Sequence, residues 1–220
     1  WFLAAGEQGY AIAQFTLGGI YENGQGVPQD YQKAFNWYSL AGEQGHIDAQ
    51  HNLGWMYYHE EGGIPQDFQK AFKWYSLAAE QGDLKAQFSL GVMYDNGQGV
   101  LQDYQKAFKW IALPAEKGDV RAQFFLGCMY EDGQGVAQDY SKAIKWYTLA
   151  ADQGEPMAQS NLGHLYANEQ TGKLDYIQAH KWFNITGAKE KEKIERLMSS
   201  NQISEAQKLA KEWVNEHKNH

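Results

Sequence analysis

The glycines of Gly24-Gln25-Gly26, Gly97-Gln98-Gly99 and Gly133-Gln134-Gly135 have the look of a phosphate cradle. A phosphate loop needs a strand before it and Gly-Lys-Ser/Thr after it, and neither is present, so they read as turns. The histidines His46, His51, His59, His164, His180, His217 and His220 show no HExxH or paired spacing, and a lone Cys128 permits no CxxC. No metal or other cofactor is therefore expected. Cys128 has no histidine in register beside it and reads as an inert thiol rather than a nucleophile. Glu22, Asp95, Glu131 and Asp132 lie beside the glycine turns without the ligand spacing of a calcium loop, and read as solvated loop charge. Lys189, Lys191 and Lys193 alternate with Glu190, Glu192 and Glu195, which reads as a solvated helix face. The chemistry that remains is that of surfaces, and the expectation is a protein that is not an enzyme.

Composition narrows the partners. In 220 residues, 43% apolar and 15% aromatic side chains supply a core and exclude a disordered chain. With 19 basic against 27 acidic residues the net charge is -8, which opposes nucleic acid and anionic lipid. No run approaches the roughly 18 apolar residues of a membrane span, so membrane insertion is not expected. A single cysteine forms no internal disulfide.

The elements that carry these side chains repeat. Trp1, Trp37, Trp74, Trp110, Trp146 and Trp182 are spaced by 36, 37, 36, 36 and 36 residues, and the longer step falls in the loop around Glu60-Glu61-Gly62-Gly63. Each unit holds two helical stretches. The first carries Ala13, Leu17 and Tyr21, then Ala49, Leu53 and Tyr57, and so on at i, i+4 and i+8, which is one helical face. The second carries Ala34, Trp37 and Leu40, then Ala71, Trp74 and Leu77, and their counterparts to Ala179, Trp182 and Ile185, and this predicts a buried stripe. On that reading Trp110→Ala would cost about 3 to 5 kcal/mol.

Asp30, Asp67, Asp103, Asp139 and Asp175 are predicted to cap the second helices. Gly45, Gly82, Gly118 and Gly154 are predicted to close them in a left-handed conformation. Gly18, Gly54, Gly91, Gly127 and Gly163 lie inside the first helices, where glycine is costly, and imply close helix contact. Pro114 predicts a kink near the end of its helix. After about Ala188 the chain turns to Lys and Glu, with Ser199-Ser200-Asn201-Gln202 as a capping box ahead of Ile203, Ala206, Ala210 and Trp213: a terminal amphipathic cap. Trp1 to Gly9 match the closing half of a unit, so the chain is expected to start inside a repeat, at residues 1–9. The expected organisation is five repeats, 10–45, 46–82, 83–118, 119–154 and 155–187, and a helical cap over 188–220.

The string from Ala13 to Gly45, with A-x-x-x-L-G-x-x-Y, G-x-G-V, D-Y-x-K-A and W-Y-x-x-A, resembles the Sel-one-like repeat (SLR) family, relatives of the tetratricopeptide repeats. The resemblance implies an all-α, right-handed α/α superhelical solenoid with a C-terminal capping helix. It implies an adaptor that binds another protein or peptide, often periplasmic or secreted in bacteria. With only Cys128, the chain is unlike the branch whose units each pair two cysteines. The fifth unit departs from the pattern at Thr171-Gly172-Lys173-Leu174.

In tetratricopeptide-like solenoids the first helices line a concave groove, so the resemblance directs the variable arc of those helices toward a ligand. The candidate partner-binding residues are His51, Trp55, Tyr58, Lys85, Phe88, Val92, Arg121, Phe124, Cys128 and His164. Among them an aromatic strip of His51, Trp55, Tyr58, Phe88 and Phe124, flanked by Lys85 and Arg121, is expected to take an extended segment or helix. For Phe88, Phe124 and Phe125, packing between adjacent first helices is the alternative. A hydrolase or a peptidoglycan-binding accessory protein using the same groove is the competing functional reading.

Overall fold

The computed structural model describes residues 2–217, so Trp1 and His220 lie outside the described residues. The described residues form helices and loops without a strand. Contacts divide the chain into two compact units, residues 1–111 and 112–220, each described by itself. The first unit holds α1 (Phe2–Glu7), α2 (Ala11–Asn23), α3 (Tyr31–Glu43), α4 (Ile47–His59), α5 (Phe68–Glu80), α6 (Leu84–Asn96) and most of α7 (Tyr104–Glu116). The second holds α8 (Val120–Asp132), α9 (Tyr140–Asp152), α10 (Pro156–Ala167), α11 (Tyr176–Thr186), α12 (Glu190–Glu195) and α13 (Ser200–His217).

Helix ends follow the predicted chemistry. The Asp30, Asp67, Asp103 and Asp139 carboxylates each accept from the backbone N–H three residues on, at 2.9 to 3.1 Å, and Asp175 accepts from Ile177 and Gln178. These bonds hold the carboxyls of Asp30, Asp67, Asp103 and Asp139 below the usual carboxylate range. Gly45 and Gly82 take φ of 90° and 95°, a region costly for a residue with a Cβ. At α13 the capping box forms: Gln202 N–H donates to Ser199 Oγ at 3.3 Å, and Ser199 N–H donates to Gln202 Oε1 at 2.9 Å.

Pairs of helices pack through the first-helix glycines. A Cβ on Gly54 would stand 2.7 Å from the Tyr75 ring, and one on Gly163 would stand 2.6 Å from Phe183. Gly18, Gly91 and Gly127 meet Tyr38, Ile111 and Tyr147 in the same way. The glycines therefore let an aromatic or branched side chain of the second helix lie flat on the first helix's backbone.

This seam corrects the predicted stripe. The sealed positions of the second helices are Ala34, Tyr38 and Ala41, Ala71, Tyr75 and Ala78, and Ala143, Tyr147 and Ala150, spaced i, i+4, i+7. Trp37, Trp74, Trp110 and Trp146 are only half-buried, and Leu40, Leu77, Leu113 and Leu149 are exposed, Leu40 to 45%. One residue is 100° of helix, so the tryptophan before each sealed residue falls on the flank. There Trp37 leans on Gly6 and Trp74 on Gly42, each with Cζ3 3.3 Å from where a Cβ would stand. Trp182 differs at 3% exposure because the cap covers it: the Trp213 ring lies 5.5 Å away, anchored by its N–H to Asp152 Oδ1 at 3.0 Å.

Pro114 does not break or shorten its helix. α7 spans 13 residues, as α5 and α9 do, and beyond the proline Lys117 N–H still reaches Leu113 O at 3.0 Å. The ring removes one bond near an end where carbonyls are already being released, and the last turn holds.

Buried amides tie the turns between repeats. Gln14, Gln50, Gln123 and Gln159 each donate to a carbonyl eight residues earlier, at 3.0 to 3.3 Å. Gln44, Gln81 and Gln153 then donate to the Oε1 of Gln14, Gln50 and Gln123. At Gln14, Gln50 and Gln123 both ends of the buried amide are satisfied, which gives those turns one geometry.

Candidate partner-binding surface

In the first unit, α4 and α6 touch and carry six of the candidates. His51 is half-buried, with Nδ1 3.4 Å from Asn52 Oδ1 and its ring 5.7 Å from Tyr75. One turn on, Trp55 is exposed to 37%, its indole 4.8 Å from the His59 ring. Tyr58 is half-buried. Its ring meets Phe68 edge-on at 5.4 Å and its hydroxyl donates to Gln98 Oε1 at 2.7 Å, so it holds the glycine turn after α6. On α6, Lys85 is exposed and Val92 half-buried, whereas Phe88 is 7% exposed. Phe88 is thus core, the packing alternative raised by its register, and offers no free ring.

In the second unit, α8 and α10 touch and carry the other four. Arg121 is exposed, its guanidinium 3.6 Å from Asp119. Phe124 is half-buried against Tyr147 at 5.8 Å and Phe125 at 6.1 Å. His164 is exposed, its ring 5.2 Å from Phe183. Cys128 lies with Sγ 3.2 Å from the Tyr147 hydroxyl, and burial pushes the thiol up to about 11. At neutral pH it is a protonated thiol, a poor nucleophile. The ten candidates therefore divide into two groups, one on each unit.

Glu22 and Glu131 are not the solvated loop charge expected of them, whereas Asp132 is exposed. Glu22 Oε2 accepts from the Tyr38 hydroxyl at 2.6 Å, and Glu131 Oε2 accepts from Tyr147 at 2.6 Å. Asn161 Nδ2 in turn donates to the Tyr147 hydroxyl at 3.0 Å. Burial, followed by the carboxylate at its hydroxyl, raises Tyr38 well above the ordinary phenol range. Burial raises Glu131 as well, opposed by the Tyr147 hydrogen bond. Such a network needs a Tyr and a Glu 16 residues apart at fixed registers, and both recur in the sequence, which was the available signal. Glu195 also leaves the expected solvated face: its Oε1 lies 2.8 Å from Nε2 of fully buried His180.

The Gly97-Gln98-Gly99 turn is filled by protein. The space where a Cβ on Gly99 would stand is taken by the Phe68 carbonyl, an acceptor that repels phosphate. Among the described residues no group of three or more His, Cys, Asp or Glu could hold a metal ion. None of the described helices is long and apolar enough to cross a membrane.

Helical pairs of nearly constant length, glycine seams and repeating caps define a helix-turn-helix repeat protein of the α/α solenoid class. The model described as "Sel1 repeat" matches residues 11–46, 47–83, 84–119, 120–155 and 156–186, and the chain belongs to that family. Members of the family are generally protein-interaction scaffolds rather than enzymes. The chain is similar to the structure of a protective antigen of uropathogenic Escherichia coli that displays an SLR fold. Identity is 33% and the TM-score 0.83, over 98% of this chain and 48% of that one. The chain thus spans about half the length of that antigen. It is also similar to a Sel1 repeat protein from Oxalobacter formigenes, at 36% identity and a TM-score of 0.70, over 85% of this chain and 76% of that one. No curated protein matches the chain.

Proposed function

We propose that this chain is a non-enzymatic scaffold whose first-helix faces bind an extended segment or helix of another protein. The observation that carries the reading is Trp55. Its register holds Gly19, Val92, Cys128 and His164 in the other repeats, so the stack does not require an indole there. The ring is nevertheless exposed, beside His59 and half-buried His51. Large amphipathic rings left accessible beside small neighbours are what protein interfaces use as anchors. In the second unit Phe124, Cys128 and His164, with Arg121 at the helix start, offer a smaller and more polar face.

The test is affinity capture followed by titration of the recovered protein against wild type and Trp55→Ala. A loss of about 2 kcal/mol, roughly 30-fold, is expected. Unchanged affinity in a folded Trp55→Ala protein removes the reading. Binding of muropeptides alone, or turnover of a substrate, would replace it with the carbohydrate or hydrolase alternative.

A further inference from the structure

One register of the first helices, that of Glu22, holds a carboxylate again at Asp95 and Glu131. At Glu22 and Glu131 the protein supplies its own donor, the hydroxyls of Tyr38 and Tyr147. At Asp95 it does not. The residue after Trp110 is Ile111, fully buried against Gly91, and its short hydrocarbon stands where the tyrosine ring stands at Gly18 and Gly127, so no hydroxyl extends to the acid. Among the described residues no side chain or backbone donor bonds the Asp95 carboxylate, although Asp95 is half-buried and desolvation raises its pKa. A partly desolvated carboxylate without a donor is unfavourable, and a cation brought to it would recover that cost.

The nearby groups do not meet the need. Lys85, on the same helix, is ten residues away, about 15 Å along the axis. The Tyr58 hydroxyl is committed to Gln98. One turn before Asp95 stands Val92, at the register that Trp55 occupies on the adjoining α4. An apolar stem would lie there with its charged end at the acid, as Lys and Arg side chains do. The net charge of -8 favours approach of a basic segment.

We infer that the α4–α6 face of the first unit selects a protein segment bearing a Lys or Arg, whose charge pairs with Asp95 while its stem lies along Val92 and Trp55. The inference rests on the proposed binding role of the same face. It is tested by panning a random-peptide phage library against the whole chain, then titrating a synthetic enriched peptide. Enriched sequences are expected to share a Lys or Arg. Asp95→Asn is expected to weaken the peptide about tenfold. Ile111→Tyr, which places a tyrosine where Tyr38, Tyr75 and Tyr147 already pack on glycine, gives Asp95 an internal donor and is expected to weaken it likewise.

Circular dichroism verifies that each variant is folded. Enriched peptides that need Trp55 but lack a basic residue, or that ignore Asp95→Asn, overturn the inference and leave the binding face standing. Absence of enrichment, or peptides indifferent to both Trp55→Ala and Asp95→Asn, overturns both.

Discussion

The second helices α3, α5, α7 and α9 each have two apolar faces that recur with equal regularity, yet only one is sealed. On α9 the inner face carries Tyr147, fully buried on Gly127, while the flank carries Trp146, half-buried, and Leu149, exposed. The inner face works because the first helix gave up a Cβ at the contact, so the ring meets backbone across its whole area. The flank meets only the edge of a neighbouring helix. Recurrence at a register therefore reports a repeated environment, and the depth of that environment depends on what stands opposite.

The largest effect that would test this contrast is Tyr147→Ala. It empties the seam over Gly127 and strips Glu131 of its donor in one step, and is expected to cost about 3 to 5 kcal/mol in denaturant unfolding. A loss below that of Trp146→Ala would invert the two faces and break the comparison.

Much of this organisation can be read before any coordinates exist, for physical reasons that differ by residue. The tryptophan spacing reveals the repeat because one unit cannot bury its own apolar face. Asp30 and its counterparts are legible as caps because a cap acts on N–H groups two or three residues away. The glycines of the first helices are legible because nothing local favours them. The face of the second helix is not legible in this way: Trp, Tyr and Leu at i, i+1 and i+3 all recur, and the choice between them depends on a glycine about 20 residues earlier. The same distance hides the Glu22–Tyr38 and Glu131–Tyr147 pairs, and His180 meets Glu195 from outside the repeats altogether. Trp55 is legible as the exception to its own register, whereas for Phe88 the sequence leaves groove and packing open and the structure makes it core.

Trp146→Ala measures the flank. The ring is half-buried with Lys145 Nζ 5.9 Å from its centroid, so roughly half the area of a buried indole is lost and no deep cavity forms. About 2 kcal/mol is expected from thermal or denaturant unfolding, and the same scale applies to Trp110→Ala in place of the larger loss that full burial would bring. At the capped end the ordering shifts. Trp182 is covered by Trp213, so there the tryptophan register belongs with the core, and the difference between the two sites isolates what the α13 helix contributes.

The smallest effect is also the sharpest discriminator, because the sequence pattern and the structure disagree on it outright. Leu149 recurs with Leu40, Leu77 and Leu113, and a buried stripe would make Leu149→Gln severely destabilising through an amide stranded in the core. The structure leaves the side chain exposed, and the hydrogen bond from Gln153 Nε2 to its carbonyl at 3.3 Å uses backbone that the substitution keeps. Gln is also a good helix former on an exposed face. The expected change is within about 0.5 kcal/mol, read as an unfolding midpoint that barely moves. A loss of several kcal/mol would mean that the flank is covered in solution, and the distinction between the two faces would fail at the residue where it is most exposed to test.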